Sequence, residues 1–373
     1  MTPVTRVAID VGALHGPRTG VGNAVAWTVD ALRRAALRSP EGDPMLTPYV
    51  LSTRARLDRG ERRLPLPAAL AHRIWARHSI PRMDHWLGHP DVVHGTNYVV
   101  PPARAARVVT VHDCWFLDHP DAAQPDVALA GAVLARSIAE GAHVVTCADA
   151  TTERVRELFD VRSVHTVHHG PPAHDPNAVR TAPALGDPDA PFVLSLGTVE
   201  RRKNICTLVA AFARVAAEDP TVQLRIAGRD GDDSPNVARA LERLHPAIRR
   251  RVIRHVSVSE PVKRWLLDRA TVFAYPSLDE GFGFPILEAQ LAGTPVVASS
   301  AGSIPEVAGS GALLSLPLDA DALAANLFWV ITSEAKRDDL VRRGATNVTR
   351  FDWDRTAATL TRHYRAFADE EST

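Results

Sequence analysis

The stretch VFAYPSLDEGFGFPILEAQLAGTPVVAS, residues 272–299, decides the fold. It opens on an apolar run, passes through a turn rich in glycine, continues with helical spacing and closes on a second apolar run. Apolar runs joined by a helical segment are typical of a βαβ unit, whose two strands lie parallel in a buried sheet. Two glutamates, Glu280 and Glu288, stand on either side of the segment GFGFPIL. They could bond the hydroxyls of a ligand, or Glu280 could be a loop charge and Glu288 an acid that favours a helix N-terminus.

The same alternation runs through most of the 373-residue chain. We predict about six strands in each half, at residues 6–11, 49–51, 91–94, 108–112, 143–147 and 164–167, and then at 192–196, 223–227, 252–255, 272–275, 296–299 and 313–316. Stretches of helical periodicity separate many of them. The sequence therefore predicts an α/β protein with two doubly wound, Rossmann-like domains.

A proline-rich break divides the two halves. The segment HGPPAHDPNAVRTAPALGDPDAPF, residues 169–192, carries six prolines and little periodicity. We predict a first domain over residues 1–170, a linker over 171–191, a second domain over 192–352, and a final helix over 353–373 that crosses back to the first domain and packs across both. Two such sheets facing each other leave a cleft between their strand ends, where ligands of this architecture bind.

Composition and charge reduce the number of function classes that need to be considered. The formal net charge is zero, with 45% hydrophobic and 23% charged residues, so nothing global indicates nucleic-acid binding. The chain shows no signal peptide and no apolar run near 18 residues, and its three cysteines have no metal-ligand spacing. We therefore expect a cytoplasmic protein with at most peripheral contact at the inner face of the membrane. Residues 51–83 hold eight arginines against two acids, which fits a solvated helix or a basic face for an anionic acceptor or a membrane.

Polar residues follow the predicted strands of the second half. The strand at 192–196 runs into GTVERRKNI, where Gly197 permits a tight turn and Arg202 and Lys203 precede a helix. Adjacent cations beside the N–H groups of a helix N-terminus form a good anion site, and a diphosphate fits it. The alternative is an ordinary solvated run of charge.

The turn in the opening stretch has the same placement. Gly281 and Gly283 let main-chain amides approach a ligand closely, and Pro285 suits a helix that begins near Phe284. Glu288 would then project from the first turn of that helix. Its carboxylate could bond a vicinal diol of a sugar, or could simply favour the helix N-terminus.

The first half offers weaker signals. Gly20 and Gly22 precede a helix, but Val25 occupies the third position of a dinucleotide fingerprint, so we interpret the segment as a mobile loop whose amides touch substrate. His112 ends a predicted strand, as does His94. Each could act as a general base, bind a sugar hydroxyl or be a buried structural residue.

These motifs together resemble one family. The segments GTVERRKNI, LRIAG, AYPSLDEGFGFPILEAQLAGTPVVASSAGSIPEVAG and FDWDRTA, with TGVGNAV, DVVHGTNYVVPP and VVTVHD in the first half, resemble the retaining glycosyltransferases of family 4, which have the GT-B fold. They are most similar to the bacterial mannosyltransferase-like branch. The resemblance covers nearly the whole chain, and the segment from Glu280 to Glu288 is its most specific part.

The resemblance implies a reaction and roles for residues. The reaction is transfer of a hexose, with mannose favoured, from a nucleoside-diphosphate sugar such as GDP-mannose to a hydroxyl acceptor, by a metal-independent front-face mechanism. His112 and Glu280 would be catalytic. The implied donor-binding residues are Gly20, Gly22, Gly197, Thr198, Arg202, Lys203, Phe282, Gly283, Phe284 and Glu288. Thr198 stands where many relatives place an arginine, so neutralisation of the diphosphate depends more on the two cations that follow it.

The implied partners are the sugar-nucleotide donor and an acceptor that is a glycan, a lipid-linked molecule or a small molecule. Neither a cofactor nor a metal is expected, although the acidic D-x-D triplets at 187–189, 230–232 and 319–321 leave a metal-dependent enzyme as a rival hypothesis. Three further hypotheses stay open: a GT-B sugar-nucleotide epimerase, a non-catalytic sugar-nucleotide-binding relative and a nicotinamide oxidoreductase. The epimerase would consume donor with no acceptor present.

Overall fold

The computed structural model describes residues 4–16, 19–39, 42–122 and 124–371. The chain divides into two compact units, Met1–Gly170 with Phe351–Thr373, and Pro171–Arg350. Within the described ranges, every helix is too short or too polar to cross a bilayer.

The first unit is a seven-stranded parallel sheet with the order β3-β2-β1-β4-β5-β6-β7. Its strands are β1 Arg6–Asp10, β2 Met45–Val50, β3 Arg62–Arg63, β4 Val92–Gly95, β5 Ala106–Val111, β6 His143–Thr146 and β7 Val164–Thr166. Its α-helices are α1 Gly20–Arg38, α2 Ala68–Trp75, α3 Asp84–Leu87, α4 Trp115–Asp118, α5 Pro125–Ala139, α6 Asp149–Leu158 and, at the end of the chain, α15 Trp353–Glu371.

The second unit is a six-stranded parallel sheet with the order β10-β9-β8-β11-β12-β13. Its strands are β8 Phe192–Leu196, β9 Gln223–Ala227, β10 Val252–His255, β11 Val272–Tyr275, β12 Val296–Ser299 and β13 Ala312–Ser315. Its α-helices are α7 Ile205–Glu218, α8 Ser234–Glu242, α9 Pro246–Arg249, α10 Glu260–Arg269, α11 Phe284–Leu291, α12 Ile304–Ala308, α13 Ala320–Thr332 and α14 Glu334–Val348.

Both faces of each sheet are buried, which explains the continuous apolar strands. In β8, Phe192 and Leu194 pack into a core on one face, while Val193 packs into a core on the other. Successive side chains of a strand point to opposite faces, so a strand covered on both sides must be apolar throughout. The predicted α/β fold with two doubly wound sheets is confirmed. The two-residue strand β3 was missed, because Arg62 and Arg63 carry no apolar pattern.

Each sheet has one point where the order of the strands reverses. In the first sheet it lies between β1 and β4, and in the second between β8 and β11. At this point the chain leaves the two neighbouring strands toward opposite sides. The loops that follow the two strands therefore separate and leave a crevice outside the carboxyl ends of the strands. Contacts cross both crevices: the Thr96 hydroxyl donates to Asp10 O at 2.9 Å, and Leu278 N donates to Arg202 O at 2.7 Å.

Residues 171–191, predicted to be a linker, are part of the second unit. Arg180 Nε donates to Asp268 Oδ2 at 2.6 Å, and Thr181 N donates to Pro261 O at 3.2 Å. The buried Arg225 donates to the carbonyl of Asp187. The prolines prevent regular structure, but these side-chain and main-chain bonds hold the segment against the unit.

The final helix α15 belongs to the first unit, where it packs against α1. Its Tyr364 hydroxyl lies 2.6 Å from His94 Nδ1, and His94 Nε2 lies 2.8 Å from the Thr110 hydroxyl. Burial lowers the pKa of His94 to about 3, so the ring is neutral. His94 is therefore a satisfied structural histidine that joins the helix to the sheet.

We expect Tyr364→Phe to lower the free energy of unfolding of the first unit by about 1–3 kcal/mol, because it leaves the buried His94 Nδ1 unpaired. Urea unfolding at pH 7 measures the change. Arg362→Ala, on the exposed side of the same helix, is the control and should change it by less than about 0.5 kcal/mol. Equal effects of the two substitutions would contradict the role given to the His94 bond.

Candidate active site

The turn after β8 carries the predicted cations. Gly197 has a φ of 141°, which favours glycine, and the chain then enters a 3₁₀ turn over Arg201–Lys203 before α7 begins at Ile205. Asn204 joins this turn to the loop after β11, since its Nδ2 donates to Pro276 O at 3.0 Å. The local fold therefore holds Arg202 and Lys203 at the carboxyl edge of the sheet, beside the point where the strand order reverses.

Both cations bond the same carboxylate. Glu280 is 6% exposed, and its two oxygens accept from Arg202 Nη1 and, at 2.6 Å, from Lys203 Nζ. Lys203 Nζ also donates to the Tyr275 hydroxyl at 2.9 Å. Burial by itself would raise the pKa of Glu280, but the two cations outweigh it and hold that pKa at about 2. The three groups keep one net positive charge at the edge of the sheet.

Glu288 lies one turn later in its helix than predicted and bonds a lysine of the neighbouring helix. It is the fifth residue of α11, in the second turn rather than the first, although the helix does begin at Phe284 as predicted. Its Oε1 accepts from Lys263 Nζ of α10 at 2.8 Å. Burial disfavours the charge on Lys263, but Glu288 and Glu260 outweigh that effect and raise the pKa of the ammonium.

Lys263 was not among the residues predicted from the sequence. The chain has only three lysines, and this one lies in the first turn of a helix that follows a strand. That rarity and placement were a usable signal, but the partner of Lys263 could not be read from spacing.

Main-chain amides surround Glu280. Gly283 has a φ of 91° and lies immediately before α11, so the amides of Phe282, Gly283 and Phe284 lie at the N-terminus of that helix. Ser303 N, in the loop after β12, donates to Glu280 O at 3.0 Å. The loops that follow three neighbouring strands are thus bonded to one another, and these bonds hold the site in place.

In the first unit, His112 follows β5 directly and is buried. Its Nε2 lies 2.9 Å from Thr96 O, and burial lowers its pKa, so the neutral ring donates from Nε2 and carries its lone pair on Nδ1. Cys147 and His169 lie close by. The Cys147 sulfur and one ring nitrogen each of His169 and His112, the atoms that could hold a metal, lie within 4.8 Å of one another. Nitrogen and sulfur donors do not suit Mg²⁺, the ion that usually accompanies a diphosphate.

The remaining predicted residues are placed as follows. Gly20 and Gly22 are in the first turn of α1 rather than in a loop, and Gly22 N donates to the Thr19 hydroxyl at 3.2 Å. Thr198 follows Gly197 at the start of the turn after β8. Of the acidic triplets, Asp230 pairs with Arg254 at 3.0 Å and Asp232 accepts from Arg201 N at 3.0 Å, both structural contacts.

Comparison with known proteins identifies the family. Residues 182–347, most of the second unit, match the family model for glycosyl transferases group 1. The protein is a glycosyltransferase with a group 1 domain over residues 182–347. The matched residues include the charge cluster, formed by Arg202, Lys203 and Glu280, and the whole Glu280–Glu288 segment. The predicted resemblance to these enzymes is confirmed.

Individual relatives align with much of the chain. It is 29% identical over 287 residues, 74% of each chain, to the O-antigen chain mannosyltransferase B of Escherichia coli. It is 32% identical over 181 residues to a phosphatidyl-myo-inositol mannosyltransferase of Mycolicibacterium smegmatis, covering 46% of this chain and 44% of that one. A sucrose-phosphate synthase structure from Thermosynechococcus elongatus matches with a TM-score of 0.72 and 19% identity, over 97% of this chain and 98% of that one. The GT-B fold is thereby confirmed.

We expect Lys203→Met to lower the free energy of unfolding of the second unit by about 1.5–3 kcal/mol at pH 7, because it removes a charge-assisted bond to a buried carboxylate. The depressed pKa of Glu280 means that its ion pairs stabilise the fold fully above about pH 4.3, its unfolded pKa, and lose this effect as pH falls toward about 2. The difference between variant and parent should therefore shrink below pH 4.

Urea unfolding at pH 7, 4 and 3 measures the difference. Lys336→Met is the matched control, since Lys336 lies over the exposed Trp329 ring, and its acidic partner, the part-exposed Asp339 at 3.9 Å, keeps Arg342 and Arg343 as partners. A pH-independent difference for Lys203→Met would contradict the charge assignment.

Proposed function

We propose that this glycosyltransferase moves a hexose, with mannose favoured, from a nucleoside-diphosphate sugar to a hydroxyl acceptor with retention of anomeric configuration. The observation that carries the proposal is the pair of cations, Arg202 and Lys203, held on Glu280 at the carboxyl edge of the second sheet. Glycosyl transfer breaks the bond between the anomeric carbon and a phosphate oxygen, and negative charge grows on the departing diphosphate. Cations and amides already oriented toward that charge supply the largest stabilising effect expected in such a reaction.

Both cations would bond the diphosphate beside the protein groups that they already hold. A guanidinium has five N–H groups and an ammonium has three; Glu280 takes one bond from each, Asp279 O accepts from Arg202 at 3.1 Å and the Tyr275 hydroxyl accepts from Lys203 at 2.9 Å. The N-terminus of α11 adds the positive end of a helix dipole. We propose that these groups neutralise the diphosphate, so that no divalent ion is needed for that task.

Glu288 would bind the ribose hydroxyls of the donor. Its carboxylate can accept from both hydroxyls of a vicinal diol, and Lys263 Nζ holds it in position with a bond of 2.8 Å. We infer that Lys263 is a positioning residue for this contact. The names of the relatives, two of them mannosyltransferases, favour mannose as the transferred sugar and GDP-mannose as the first donor to test.

The charge of Glu280 favours a front-face mechanism. A carboxylate with a pKa of about 2, bonded to two cations, is a poor base and a poor nucleophile. We therefore propose that the acceptor oxygen attacks on the face that the diphosphate leaves, and that a phosphate oxygen takes its proton. The new C–O bond forms as the C–O(phosphate) bond breaks, and the proton departs with the nucleoside diphosphate. His112 would accept a bond from a sugar hydroxyl at Nδ1.

Nucleotide release tests the reaction class. The enzyme is incubated with GDP-mannose, UDP-glucose or ADP-glucose, with and without a library of hydroxyl acceptors. We expect GDP release that depends on an acceptor. Conversion of the donor with no acceptor would instead show an epimerase, and binding without turnover across the library would show a non-catalytic protein.

We expect Glu288→Gln to raise the KM for the donor about ten- to hundredfold, because a neutral amide replaces a charged acceptor of two hydroxyl bonds. Initial-rate kinetics and GDP titration calorimetry measure the change. The control is Glu218→Gln on the exposed end of α7, which should leave both unchanged. Unaltered donor affinity in Glu288→Gln would show that ribose is held elsewhere.

We expect the product to keep the α configuration of GDP-mannose, because attack and departure occur on the same face. NMR of the first-formed glycoside reads the one-bond C1–H1 coupling, which separates α- from β-mannosides. Arg202→Met should reduce kcat, through lost stabilisation of the leaving group, without changing the configuration. A β product would require a general base on the opposite face and would exclude the front-face proposal.

A further inference from the structure

Three side chains that can bind a metal lie together in the first unit, although they are far apart in the sequence. His112 follows β5, Cys147 follows β6, and His169 lies shortly after β7. These strands are neighbours in the parallel sheet, so the residues that follow them lie at the same edge. One ring nitrogen of each histidine and the sulfur of Cys147 lie within 4.8 Å of one another. Spacing along the chain could not predict this group, because the sheet brings its members together.

The group is small enough to surround one ion. Three atoms within 4.8 Å of one another share a point at most about 2.8 Å from each (4.8 Å divided by √3), against bonds of about 2.0–2.1 Å from zinc to nitrogen and about 2.3 Å from zinc to sulfur. Movements of about half an ångström would therefore bring all three atoms to bonding distance.

The sheet and the main chain orient two of the three ligands. His112 Nε2 donates to Thr96 O at 2.9 Å, so the lone pair of the ring is on Nδ1. A second ring nitrogen that donates to a carbonyl is the usual arrangement for a histidine that binds a metal. Val111 pairs with Thr146 in the sheet, which places the next residues beside each other, and the Cys147 sulfur lies 3.5 Å from His112 O.

The chemistry of the group selects a particular class of ion. Burial lowers the pKa of His169 to about 3 and also lowers the pKa of His112, so both rings are neutral at pH 7 and each has a lone pair. Imidazole and thiolate suit zinc, whereas Mg²⁺ and Ca²⁺ prefer oxygen. The group as described contains no carboxylate. It therefore suits a thiophilic ion and not the ion that usually accompanies a diphosphate.

We propose that His112, Cys147 and His169 form a zinc site, and that bound Zn²⁺ inhibits the enzyme. The ion would bond His112 Nδ1, the atom that we assign to a sugar hydroxyl, so metal and sugar compete for one lone pair. Cys147 releases its proton to solvent on binding, the neutral rings release none, and a water molecule completes four ligands. The inhibition rests on the proposed function, whereas the metal site does not.

Cobalt tests the site directly. Co²⁺ accepts the tetrahedral sites of zinc, and its bond to a thiolate absorbs in the near ultraviolet. We expect the full-length protein to bind one Co²⁺ per chain with this absorption, and Zn²⁺ should remove it because zinc binds such ligands more tightly. The part-exposed pair His165 and His363, whose ring centres are 4.4 Å apart, would bind through nitrogen and give no such absorption. Since the proposed ligands are buried, the ion enters by local opening, and each spectrum is followed until it is constant.

Substitutions assign the ligands. Cys147→Ser should abolish the thiolate absorption, and His169→Gln should weaken Co²⁺ binding about tenfold or more. The matched controls are Cys206→Ser, at a part-exposed thiol of the second unit, and His78→Gln, at an exposed ring of the first. Both controls should keep the absorption and the affinity. Thermal melts without metal show that each variant is folded.

Turnover measures the inhibition. Transfer from the donor that gives nucleotide release is followed in EDTA and then with Zn²⁺ in slight excess over enzyme, and each variant is compared with its own rate in EDTA. We expect Zn²⁺ to lower the rate about tenfold or more in the parent and in Cys206→Ser, and to have little effect on Cys147→Ser.

The two measurements can fail separately. Absence of the thiolate absorption, or its survival in Cys147→Ser, would overturn the metal site. Thiolate-bound cobalt in an enzyme whose transfer zinc leaves unchanged would overturn the inhibitory role. Thiolate-bound cobalt in a protein that turns over no sugar nucleotide would refute the proposed transfer and keep the metal site.

Discussion

The carboxylate of Glu280, bonded by Arg202 and Lys203, is the contact on which the candidate active site depends. Both cations come from the turn after β8 and the carboxylate from the loop after β11, so one buried anion joins the two loops beside the reversal of strand order. Burial of an unpaired charge would be strongly unfavourable, and each group is therefore needed by its partners. The same contact fixes two cations against one acid at the place where we propose that the diphosphate binds.

The two units show how one topology can serve different chemistry. Each sheet reverses its strand order once, and each has polar side chains at that point. In the second unit these are cations held on an acid, which suit a departing diphosphate. In the first they are Asp10 and Asn97, with no pair of cations among the described residues. The two sheets thus agree in topology and differ in the side chains at the reversal, as expected where function depends on the site rather than the fold.

Much of this arrangement could be predicted from the sequence. Strands β8 and β9 match their predicted bounds because continuous apolar runs flanked by turns are unambiguous in a doubly wound sheet. The start of α11 was predicted because Gly283 and Pro285 are local signals that need no tertiary context. Strand β3 and the partner of Glu288 could not be predicted. The first is held by a neighbouring strand rather than by apolar residues, and the second is set by how α10 packs beside α11.

The sequence by itself determined the α/β class, the glycine turn between the two acids, and the presence of Arg202 and Lys203 after a strand, because these features are encoded within a few residues of one another. Only the tertiary structure decided which charges meet. Glu280 pairs with cations 77 and 78 positions away, and Glu288 with a lysine 25 positions away. Such pairs depend on the order of strands in the sheet and on the packing of helices over it, whereas periodicity along a single chain reports only which face of each element is buried.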